Sequence, residues 1–224
     1  MRLSAETKLI LKNFSTINQS IIIKPGSVLH TSDPSGILHA QALVKEEFPA
    51  QMDIYSLPTF LNMVSSFAEC EILPGPKQVL IQGNQTEYRY LYAAPGILKP
   101  PHVRDSSFVW DEIFSTKITT DDFRAISKAV GITGINQLNI YTEDGDVFLS
   151  LHDKKSTGNS FKSLIGKSDV EFDIWTKTEH LNFVPGEYTM TVCKREGKTR
   201  TVVFLLFKSE LVEYLLAADP ISRV

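Results

Sequence analysis

The sequence predicts an α+β protein of two similar, strand-rich domains, on three observations. Period-two apolar segments bounded by turn residues recur along the chain, separated by a few short segments of helical period. One group of residues recurs at a fixed distance in the second half. The 224 residues fall between one and two domains at the usual ~150 residues each.

The elements follow in order. Ser4 is the candidate N-cap of a first helix from about Ala5 to Phe14, whose Thr7, Ile10, Leu11 and Phe14 share one face. Ile21-Ile22-Ile23 and Ser27 to His30, on either side of Pro25-Gly26, predict a hairpin. A second helix is expected behind Ser56, from Leu57 to Ser66, with Leu57, Phe60, Leu61 and Val64 on its buried side. Gln78 to Gln82 and Tyr88 to Tyr92 form a strand pair around Gly83-Asn84. Residues 93–116 carry Pro95, Pro100 and Pro101 without clear periodicity, and so form a connector between halves of normal domain size.

Beyond the connector, a third helix follows Thr120. Asp121 and Asp122 suit its positive N-terminus, and Phe123, Ile126 and Val130 form its apolar face. Asn139 to Thr142 and Val147 to Leu151 flank Asp144-Gly145, a strong two-residue hairpin signal. A fourth helix is expected near Lys177 to Val184, stopped by Pro185-Gly186. Tyr188 to Cys193, Thr201 to Phe207 and Leu211 to Leu216 then read as closing strands.

Composition narrows the function. With 42% hydrophobic and 22% charged residues the chain is too apolar for disorder. Its longest wholly apolar run, Val202 to Phe207, is far below the ~20 residues of a membrane helix. Thr7 and Lys8 interrupt the start, so no signal peptide is expected. Two cysteines, Cys70 and Cys193, make neither a metal spacing nor a disulfide framework and fit a reducing cytoplasm. No HExxH, GxSxG, P-loop or GxGxxG pattern occurs, which argues against an enzyme. Asp121-Asp122 is explained by a helix start, Asp144-Gly145-Asp146 by a turn, and Lys154-Lys155 by a loop. A net charge of -3 excludes a uniformly basic nucleic-acid binder but allows a local basic surface.

The repeat supplies that surface. Asp53-Ile54-Tyr55 and Leu61-Asn62-Met63-Val64 match Asp173-Ile174-Trp175 and Leu181-Asn182-Phe183-Val184 without any change of spacing. The first and third helices correspond as well: Lys8 with Arg124, Ile10 with Ile126, Lys12 with Lys128, Phe14 with Val130. At ~100° per residue, each apolar face centres roughly 150 to 180° from its cation pair. An ordinary solvated helix face accounts for one such pair. Its recurrence at equivalent positions points to a surface that approaches phosphate.

Arg2-Leu3-Ser4, Leu11-Lys12-Asn13-Phe14, Thr16-Ile17-Asn18 and Asp53-Ile54-Tyr55 strongly resemble the sliding clamps of T4-type bacteriophages. The likeness continues through Ala93-Ala94-Pro95, Met190 and Ala217-Ala218-Asp219, and so spans the chain. It implies two processivity-fold (DNA clamp) domains, 1–94 and 117–224, joined by a connector over 95–116. Antiparallel sheets would lie outside and short helices inside a trimeric ring. A domain of ~100 residues is about 34 Å across as a uniform sphere. Six such spheres in a ring leave a hole of about 34 Å, and four leave about 14 Å. A duplex roughly 20 Å wide passes through the first and not the second.

The resemblance implies a non-catalytic protein without cofactor or metal, acting in the host cell cytoplasm. Lys8, Lys12, Arg124 and Lys128 would face double-stranded DNA without reading its sequence. DNA polymerase, an ATP-driven clamp loader and factors of phage late transcription would be its partners. Ile97, Leu98 and Val103 on the connector are the candidate contacts for a short C-terminal partner peptide. A structural ring of a phage tail or baseplate is the alternative, although such a part needs no cations on equivalent helices.

Overall fold

In the computed structural model the described residues are 1–101, 110–153, 158–197 and 201–224. The chain divides into two compact units, Met1–Val103 and Arg104–Val224. Val103, Lys154, Lys155 and Lys198 lie outside the described residues.

The first unit opens with α1 (Ala5–Ile17), whose Thr7, Ile10, Leu11 and Phe14 are buried and whose N-cap is Ser4. Strand β1 (Ile21–Ile23) follows, then β2 (Gly26–Ser32), β3 (Leu38–Phe48) and β4 (Met52–Ile54). Helix α2 (Leu57–Ser65) buries Leu57, Phe60, Leu61 and Val64 behind the Ser56 cap. An antiparallel sheet of β5 (Glu71–Pro74), β6 (Gln78–Gln82) and β7 (Glu87–Leu91) closes the unit. The core lies between the helices and the strands, where Ile10, Phe14, Leu57 and Phe60 are wholly buried.

The expected hairpin over Ile21 to His30 does not form. β1 pairs instead with β4, placing Ile21 opposite Ile54 and Ile23 opposite Met52, and β2 pairs with β3. All four of those β1 and β4 side chains are buried, so tertiary burial outweighs the local turn signal. Pro25 cannot donate to a ladder, and Gly26 at φ +109° turns the chain where another residue would be strained.

The second unit repeats the plan. β8 (Asp111–Ile118) leads into α3 (Thr120–Thr133), then β9 (Gln137–Glu143), β10 (Asp146–Leu151), β11 (Phe161–Lys167) and β12 (Asp173–Lys177). These four strands form a sheet in the order β11-β10-β9-β12. The first unit holds the same order as two pairs, β3-β2 and β1-β4, interrupted at Pro25-Gly26. The β9–β10 hairpin turns at Asp144 and Gly145, both at positive φ as its two-residue loop requires. Strands β13 (Tyr188–Glu196), β14 (Thr201–Lys208) and β15 (Val212–Ala217) complete the unit, with β13 pairing on its other side with β8.

One further expectation is corrected, and the end of the connector segment is more regular than its sequence suggests. Residues 111–116, read as connector, belong to β8, where Phe114 is buried opposite Val192. The fourth helix shrinks to one 3-10 turn, Thr178–Leu181. Phe183 and Val184 leave the helical path because each is held elsewhere. The Phe183 ring stacks on Tyr214 at 4.1 Å, and the Val184 N–H donates to the Tyr214 hydroxyl at 3.0 Å. Phe123, Tyr188 and Phe207 close around Phe183 to form the aromatic centre of the unit.

Candidate nucleic-acid interface

Helix α1 is positioned by its core face and by two caps. The Ser4 hydroxyl accepts from the Thr7 N–H at 3.1 Å. Glu46, on β3, takes the Ser4 N–H and the Thr7 hydroxyl. Partial burial pushes the Glu46 carboxyl up, but these hydrogen bonds outweigh it and hold the group below the usual range. With Thr7, Ile10, Leu11 and Phe14 turned into the core, Lys8 is left half-buried and Lys12 exposed.

Helix α3 is fixed by a capping box. Thr119 accepts from the Asp122 N–H at 3.2 Å, and the Asp122 carboxylate accepts from the Thr119 N–H at 2.7 Å. Gly134, at φ +70°, ends the helix in the left-handed conformation that glycine adopts without strain. Ile126 and Ala129 are its most buried residues, while Arg124 and Lys128 are exposed one turn apart. The Arg124 guanidinium is paired with the Asp121 carboxylate at 2.9 Å.

Each unit thus presents two cations on the solvent side of one capped helix. The exposed residues of α2 (Pro58, Thr59, Asn62 and Ser65) are uncharged. Glu46 was invisible to sequence reading because it reaches α1 from a distant strand. Asp121 was visible as a helix-start residue, and its spacing of three from Arg124 was the available signal for the ion pair.

On the connector, Ile97 is exposed and Leu98 half-buried, with the Ile97 N–H donating to the Ala94 carbonyl in a turn at 3.1 Å. In the second unit a cleft of about 650 Å³, lined by Val184, Pro185, Tyr188 and Leu211, is flanked by Lys117 and Lys208. Both lysines stand opposite Thr189 in neighbouring strands, a cross-strand arrangement the sequence reading did not single out. Among the described residues, no three His, Cys, Asp or Glu side chains group as a metal site. No helix there is long and apolar enough to cross a membrane.

This two-unit plan is the fold of the PCNA-type clamps. PCNA from A. fulgidus, solved with the C-terminal region of FEN-1 bound, superposes with a TM-score of 0.66 at 15% identity, covering 99% of this chain and 98% of that one. The PCNA2-PCNA3 complex from Sulfolobus tokodaii gives 0.63 at 11% identity, covering 96% of each chain. Sequence then narrows the class: curated homologues of the chain are sliding clamps of T4-type phages. That of Vibrio phage KVP40 is 27% identical, covering 86% of this chain and 90% of its own length. Those of Escherichia phage RB69 and Enterobacteria phage T4 are each 23% identical, covering 98% of this chain and 97% of their own. No family model matches the chain.

Proposed function

We propose that the protein is a sliding clamp that encircles duplex DNA as a homotrimer and tethers the replicative DNA polymerase. The observation that carries this reading is the recurrence of cation pairs on the solvent side, Lys8 with Lys12 and Arg124 with Lys128, on capped helices of two like units. Three chains give twelve such cations around a duplex. At physiological salt their attraction fades over ~8 Å, so a ring wider than the duplex draws phosphate inward without neutralising it tightly. Tight neutralisation would bind strongly and with steep salt dependence. Retention therefore comes from closure, and the cations supply a smooth field compatible with sliding.

In this reading 1–94 and 117–224 are the clamp domains and 95–116 the connector, its last residues continuing into β8. Ile97, Leu98 and Val103 receive partner peptides, an ATP-driven loader opens the ring, and the clamp also supports phage late transcription. The protein acts in the host cytoplasm, without cofactor or chemistry of its own. The alternative of a virion ring part finds no support among the relatives, which are clamps.

The test reverses the four cations together. Lys8→Glu, Lys12→Glu, Arg124→Glu and Lys128→Glu lie away from the buried faces, so each should alter stability by no more than about 0.5 kcal/mol. Processive synthesis should collapse, most at low salt, while assembly survives. Four other exposed lysines, Lys24, Lys77, Lys167 and Lys208, changed to Glu are the control. If both sets behave alike, the helix cations are ordinary solvated residues and the DNA-facing assignment fails.

A further inference from the structure

The two cation pairs are not equivalent. At ~100° per residue, positions i, i+3 and i+7 of a helix fall on one stripe. In α1 that stripe reads Ala5, Lys8, Lys12; in α3 it reads Asp121, Arg124, Lys128. Asp121 thus stands in line with the cations, where its counterpart is a neutral alanine. Its carboxylate lies 2.9 Å from the Arg124 guanidinium, and both side chains are largely exposed (87% and 76%).

The neighbouring acids are occupied elsewhere. Asp122 belongs to the capping box with Thr119. Glu6, its counterpart on α1, is ion-paired to Lys45 at 3.5 Å. Asp121 makes no contribution to that capping box. Exposed to this degree, it adds little to folding stability through the helix dipole or through its surface ion pair. What it does do is place a negative charge on the stripe and hold Arg124 back from other anions.

We propose that Asp121 is a built-in brake on DNA attraction: it ties up Arg124, so that α1 provides most of the pull on phosphate and α3 little more than Lys128. This rests on the reading that both helices face the duplex. A clamp gains from such a brake because every phosphate contact added steepens the salt dependence and fixes the ring's register on the duplex. Asp121 is a positioning residue, acting through the guanidinium it binds.

The test measures binding of the full-length protein to a short labelled duplex across salt, with thermal melting alongside. Asp121→Asn should tighten binding about threefold at about 50 mM salt and steepen the log–log salt slope, the gain vanishing by about 200 mM. The pair Lys8→Glu and Lys12→Glu should weaken binding more than Arg124→Glu and Lys128→Glu. In an Arg124→Gln background, Asp121→Asn should recover less than half of its gain. Unchanged affinity of Asp121→Asn, with the lysine reversals still weakening binding, overturns the brake and leaves the clamp reading in place. A full gain in the Gln background overturns the route through Arg124. If neither Asp121→Asn nor the lysine reversals move binding, α1 does not face DNA and the underlying reading fails with the proposal. A drop in melting temperature with unaltered DNA binding assigns Asp121 to helix stability alone and overturns the brake.

Discussion

Glu46 belongs to a strand, yet its carboxylate completes the cap of α1 by accepting from the Ser4 N–H and the Thr7 hydroxyl. A helix start leaves four N–H groups without intrahelical partners, so one remote anion there both satisfies a donor and suits the dipole. Folding lowers the carboxyl's pKa. Its contribution is therefore complete above the ordinary glutamate range of about 4.3 and is lost as pH falls through the lower folded value. Glu46→Gln should cost about 1 kcal/mol near neutrality, discounted from a buried charge-assisted bond because the side chain is partly exposed. The difference in melting temperature between variant and parent should narrow as pH falls from about 5 to about 3. A difference that stays constant over that interval would show that shape, and not charge, holds the cap.

Among the elements, those set by local chemistry were legible and those set by distant partners were not. Ser4, Ser56 and Asp144-Gly145 announced two helices and a hairpin at their observed positions, because caps and positive-φ turns are decided by adjacent residues. The Pro25-Gly26 hairpin failed because Ile21 and Ile23 find buried partners on β4, about 30 residues along the chain. The expected helix ending at Val184 failed because Phe183 and Val184 are claimed by Tyr214. The cation pairs could be read from helical spacing alone, whereas the ties to Glu46 and the cleft beside Lys117 and Lys208 need tertiary contact. Phe183, 9% exposed and packed against four aromatic rings, should act as the keystone of the second unit's core. Phe183→Ala should destabilise that unit by about 3 kcal/mol. Denaturant unfolding followed by tryptophan fluorescence reads this directly, since Trp110 and Trp175 both belong to that unit. A loss below about 1 kcal/mol would mean the turn is set by its own sequence.

At the scale of the whole molecule, what matters is where the sheets remain open. The outer side of β5 is closed by Met1, which exchanges backbone hydrogen bonds with Ile72. The outer side of β12 is bridged by Arg223 to Asp173. Among the described residues several strands, β2 and β8 included, have a single strand partner, and two of these edges, β7 in the first unit and β11 in the second, stand out by their apolar side chains. Both carry exposed leucines, Leu91 at 70% and Leu164 at 57%. An open apolar edge is an aggregation hazard unless something covers it. Apolar edges of different sequence in the two units suit head-to-tail association, which closes into a ring when the rotation allows. Three chains of 25.1 kDa predict a particle of about 75 kDa by light scattering. Leu164→Lys should place charge on one edge and shift the mass toward 25.1 kDa without unfolding the chain. Leu43, just as exposed but on β3, gives the matched control as Leu43→Lys. A parent protein that stays monomeric at every concentration, with no ring formed when DNA and loader are added, would count decisively against the trimer. A weak trimer that tightens with concentration would not, because edge pairing between small sheets is expected to be reversible.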